Sequence, residues 1–116
     1  MYISNFLGAP LGERAFLHLA AVAITEKKLG RPVAAGEVER LDKDSTRWGI
    51  GVAMASQRKH GHVDVTADVG VCNDQLIAVR LYHVTDKGLD ALKKTAACAR
   101  RATKLIRDYC DAVEAI

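Results

Sequence analysis

The residues best equipped for chemistry in this chain are cations, and they stand in runs cleared of acids. From Ser45 to Val63 there are Arg47, Arg58, Lys59, His60 and His62, and neither Asp nor Glu. A second such run, Ala91 to Arg107, carries Lys93, Lys94, Arg100, Arg101, Lys104 and Arg107. Guanidinium and ammonium groups undiluted by carboxylates suit phosphate oxygens, and an arginine can also meet the two acceptors on a guanine edge. Acids gather elsewhere, between Glu37 and Asp44 and between Asp108 and Glu114, so the net charge of +3 understates the local asymmetry.

Other chemistries are poorly supplied. His60, His62, Cys72 and His83 are the set to consider for a metal, but no close cysteine pair or His-x3-His spacing accompanies them, so no metal is expected. No G-x-S-x-G, Walker loop or H-E-x-x-H occurs. Asp64 and Asp68 alternate with valines and are expected to face solvent, not an active site. The chain therefore reads as a non-enzyme without a cofactor. Three cysteines, Cys72, Cys98 and Cys110, make an odd number without framework spacing, which reads as reduced thiols in a cytoplasmic protein.

The elements that must position these groups follow from apolar spacing. A chain of 116 residues, 49% hydrophobic and 27% charged, fits one globular domain, with a core made of Ala, Val, Leu and Ile because aromatics are only 5%. No apolar run reaches the 18 or so residues of a membrane span, and no leader pattern is present. Residues 1–12 read as an arm carrying Tyr2, Ile3, Phe6 and Leu7. A first helix is expected from Leu11 or Glu13 to Leu29, with Phe16, Leu17, Ala20, Ala21 and Ile24 on its apolar face; Gly30 and Pro32 end it. A short helix fits 34–41, and a third fits Thr46 to about Lys59, capped by Asp44 or Ser45.

The period then changes. Val63, Val65, Ala67 and Val69 alternate with polar or small residues, and Leu76–Val84 reads as the returning strand, with a loop near 70–74 longer than a tight turn. From about Asp86 to Ala115 a single helix is expected, capped by Thr85 or Asp86. Its stripe, Leu89, Leu92, Ala96, Ala99, Thr103, Ile106, Cys110 and Val113, alternates spacings of three and four. That is a heptad seam, and a helix of roughly 45 Å exceeds what so small a core can cover, so a second copy is the expected cover.

Three segments resemble winged helix-turn-helix regulators of the MarR and PadR kind. Gly30-Arg31-Pro32-Val33-Ala34-Ala35-Gly36-Glu37-Val38-Glu39-Arg40-Leu41 is similar to the entry into the second helix of bacterial helix-turn-helix repressors more generally. His60-Gly61-His62-Val63 stands where the winged regulators leave the recognition helix, and Tyr82-His83-Val84-Thr85-Asp86-Lys87-Gly88-Leu89-Asp90-Ala91-Leu92 looks like their exit from the wing. The resemblance covers roughly residues 13–92. It implies a mainly α protein with a small β-hairpin: a winged helix-turn-helix over 13–85, then a dimerisation helix over 86–116.

It also implies a cytoplasmic homodimer that binds double-stranded DNA at a pseudo-palindrome as a transcriptional regulator, a repressor by preference. Ser45, Thr46, Arg47 and Trp48 would meet base edges, and Arg58, Lys59 and His60 the phosphates. A lone tryptophan more often anchors a core, which is the commoner expectation for Trp48. The stripe at 93–107 reads first as the solvated back of the last helix. The wing loop, Asp68 to Asp74, has two acids and no cation, which departs from a DNA-reading wing. The alternative is a phage- or plasmid-type winged helix that binds a host protein.

Overall fold

The structure is a computed structural model, and it describes residues 9–72, 74–99 and 104–116. The chain runs α1 (Glu13–Leu29), α2 (Ala35–Leu41), α3 (Arg47–Lys59), β1 (Val63–Cys72), β2 (Gln75–Val84), α4 (Asp86–Ala99) and α5 (Lys104–Glu114). The fold is mainly helical with one small antiparallel hairpin. Among the described residues no helix is long and apolar enough to cross a membrane. Tyr2, Ile3, Phe6 and Leu7 lie outside the described residues.

α1 is the centre of the molecule. It packs against all four other helices and against β2. Its apolar residues exceed one stripe: Phe16, Leu19, Ala20, Ala21, Val22 and Ala23 are all buried, while Leu17 and Ile24 are partly so. Alanines let neighbouring helices come close at little area per contact. Two buried hydroxyls are satisfied within their own helices, Thr25 to Ala21 O at 2.8 Å and Thr95 to Ala91 O at 2.7 Å.

The terminal helix differs from its expectation. It is two helices, α4 and α5, which pack on each other and both on α1. The seam residues Leu92, Ala96, Ala99, Ile106, Cys110 and Val113 are buried inside one chain, and Leu89 is partly buried. Thr103 lies outside the described residues. The spacing was legible, but three-four alternation marks any two helices packed side by side. Here the partner helices belong to the same chain, so this seam is not free to join two copies.

The hairpin also differs in detail. Its register runs without a break from Val63↔Val84 to Cys72↔Gln75, so the connection is two residues, Asn73 and Asp74, instead of a long loop. Asp74 takes a positive φ of 61°, as tight hairpin turns demand. The base of the hairpin is gripped from several sides. Val33 bridges Tyr82 through paired backbone bonds of 3.0 and 2.7 Å. The Glu26 carboxylate binds the His83 ring and accepts the Val84 N–H at 2.9 Å. Thr85 caps α4 by accepting from Gly88 N at 3.1 Å, and its hydroxyl donates to Gly61 O at 2.7 Å. A Cβ on Gly88 would stand 2.1 Å from the His62 carbonyl oxygen, so only glycine lets α4 start this close to the hairpin.

Candidate nucleic-acid interface

α3 turns Ile50, Met54 and Gln57 to the core and leaves Arg47, Trp48, Val52, Ala55, Ser56, Arg58 and Lys59 exposed. Thr46 is its N-cap and accepts from Gly49 N at 3.0 Å. Gly49 serves that cap: a Cβ there would come within 2.9 Å of the Thr46 hydroxyl and 3.4 Å of the His18 ring. It faces His18 of α1. Gly51 borders open space.

The start of α3 is not a vacant anion site. The Glu39 carboxylate of α2 accepts the Arg47 N–H at 2.6 Å and stands 3.7 Å from the Arg47 guanidinium. A carboxylate at a helix N-terminus answers the dipole and the first-turn donors that a phosphate would use. Ser45, expected to meet a base edge, is only 6% exposed and is part of the interior. Trp48 differs from its core expectation in the other sense, at 80% exposed.

The cations collect at the other end of α3. A groove of about 570 Å³ runs between α3 and the hairpin, lined by Gly51, Ala55, Arg58, Lys59, Arg80 and Tyr82, with Val65 at its side. No acid is among its lining residues. Gly51 and Ala55 keep the floor shallow, so Arg58 and Lys59 on the helix face Arg80 across the gap. Arg80 escaped the sequence analysis, although it is the single cation in the otherwise neutral run Leu76–Tyr82. His60 is exposed, and its ring stacks on that of His62 at 5.8 Å.

The histidines considered for a metal are engaged separately. His62 Nδ1 lies 2.6 Å from Gln57 Oε1, and His83 binds Glu26. Burial, then His60 and Lys87, lower the His62 pKa below its ordinary value. A second groove, of about 530 Å³, lies on the opposite flank of α3 between it and α1. Arg14, His18, Trp48, Val52 and Ser56 border it. Burial and then Arg14 lower the His18 pKa.

The loop before α3 is tied to the C-terminal helix. The buried Tyr109 hydroxyl donates to Asp42 Oδ2, and burial first, then Asp42, raise its pKa far above the usual phenol range. At the entry to α2, Glu37 binds Arg31 and accepts the Ala34 N–H at 3.1 Å; chiefly through Arg31, its pKa falls to about 2.

No family model matches this chain, and no curated protein or solved structure matches it either.

Proposed function

We propose that the chain is a winged-helix DNA-binding regulator that works as two copies. In this reading α2 and α3 form the helix-turn-helix, α3 enters the major groove, and the hairpin is the wing. The observation that carries it is the acid-free groove between α3 and the hairpin, where Arg58, Lys59 and Arg80 stand together. Three cations on two walls suit a run of phosphates, which supplies most of the affinity for a duplex. Arg47, exposed beside Trp48, is the candidate for a base edge, but it has Glu39 as an internal competitor.

A mobility-shift series on a duplex pool across salt concentrations tests the reading. Binding weakens as salt rises, and Arg58→Ala, Lys59→Ala and Arg80→Ala each reduce the salt slope by about 1. A wild-type slope in all three variants overturns the groove assignment.

A second reading has its own observation. Trp48 and Val52 are both exposed on α3, one helical turn apart, with Arg14 and Arg47 nearby. An exposed tryptophan rimmed by arginines is the composition of a protein–protein hot spot. Passage of the protein over heparin and random duplex at moderate salt separates the two, because a protein-binding module is not retained.

A further inference from the structure

Each strand of the hairpin is ten residues long, yet only the base is seated. Val63, Tyr82 and Val84 are buried, whereas every residue from Asp74 to Ala78 is exposed. Large exposed apolar residues cluster at this far end: Leu76 at 77%, Val69 at 67%, and Ile77 beside them. A two-stranded ribbon alone in water is marginally stable.

Among the described residues, the edge of β2 beyond Tyr82 is also open. Free strand edges are ordinarily protected by charged side chains, lysine above all, by proline, a bulge or shortness, and on the β2 edge Arg80 is the one charge. Residues 63–84 contain neither lysine nor proline, and the register has no bulge. The direction of the β2 edge follows from the Val33 bridge. Tyr82 uses both its N–H and its C=O toward Val33, away from β1. By the two-residue period of a strand, the N–H and C=O of Arg80, Ala78 and Leu76 point the same way. Among the described residues, no strand but β1 pairs with β2 there.

We infer that this edge joins two copies of the chain: residues 76–80 of β2 in one protomer pair antiparallel with the same residues of its partner about a two-fold axis at Ala78, short of Tyr82, whose edge Val33 already occupies, so that the hairpins form one four-stranded sheet. The register favours a second copy as the occupant. Ala78 meets the partner's Ala78, Ile77 meets the partner's Val79, and Arg80 meets the partner's Leu76. No charge faces its like, and Ile77 and Val79 of the two copies stand side by side. The contact is isologous, so along this edge it closes at two copies. The inference rests on the two-copy part of the proposed function, but its test involves no DNA, so the two can fail separately.

Light scattering on the eluting full chain, from micromolar concentration upward, reads the mass directly. The wild type is expected at twice the mass of one chain. Ala78→Pro removes an outward N–H and leaves the β1–β2 ladder, to which that N–H does not contribute. It is expected at the mass of one chain with unchanged circular dichroism. Leu76→Lys puts a charge on the same edge and is expected to raise the dimer Kd at least tenfold. A wild type that stays a single chain, as a foreign partner strand would leave it, overturns the inference. So does a dimer that both variants keep intact.

Discussion

At the base of the hairpin, Val63 faces Val84 and Val65 faces Tyr82, and the body of the protein grips both pairs through Val33, Glu26, Thr85 and Gly88. At the far end Val69 and Leu76 carry the same kind of side chain on the same alternating pattern, and they are exposed. The local sequence is alike in both halves. What differs is the cover: among the described residues, α1, α3 and α4 pack on the hairpin and bury its base, while Val69 and Leu76 stay largely exposed. Alternation therefore reports that a face wants burial, and says nothing about which surface supplies it.

The contrast can be broken by substitution. Tyr82→Ala empties a buried site at the base and is expected to cost about 4 kcal/mol, measured by denaturant unfolding. If it cost under a kcal/mol, the base would not be the anchored half. Gly88→Ala sets a methyl group against the His62 carbonyl and is expected to cost about 3 kcal/mol in the same assay, by forcing α4 off the hairpin.

Acid should loosen the base by a smaller amount. His62 at the hairpin base and His18 on α1 both have pKa values held below the ordinary 6.5, so the unfolded chain binds more protons than the folded one. Stability is unaffected by these groups above that value. It falls as the pH drops below 6.5 toward their folded pKa values. Urea midpoints at pH 7.5 and 5.5 check the sign, and the drop should shrink in His62→Gln. The smallest effect belongs to the far end: Leu76→Ala, measured on dilute protein, should stay within about 0.5 kcal/mol.

Much of the fold was legible in the sequence. The helix starts and stops at Glu13, Leu29, Leu41 and Lys59, and the switch to a two-residue period at Val63, are set by local signals: caps, glycine, proline and apolar spacing. Two features were not legible, for one reason. Residues 89–116 contain neither proline nor glycine to mark two helices instead of one, and the seam spacing suits an internal partner as well as an external one. Whether the last helix runs on or folds back is decided by tertiary packing on α1, which no window of sequence contains.

The candidate site was legible in part. The acid-free run pointed to Arg58 and Lys59. Arg80 was missed because a groove joins residues distant in sequence. Ser45 and Trp48 were misplaced for a simpler reason. Small polar residues before a helix are ordinarily outside and a lone tryptophan ordinarily inside, and the phase of α3 reverses both.

One carboxylate sets a dimension of this molecule. Glu26 holds His83 and the Val84 backbone to α1 while Val33 holds Tyr82. The hairpin thus leaves the body at a fixed bearing, like the locked jaw of a caliper whose other jaw is α3. The gap between the jaws is a gauge. In the proposed DNA-binding role, that gap would select an occupant by thickness before any side chain read its sequence. Loosening Glu26 would change that gap without altering any of the residues that line it.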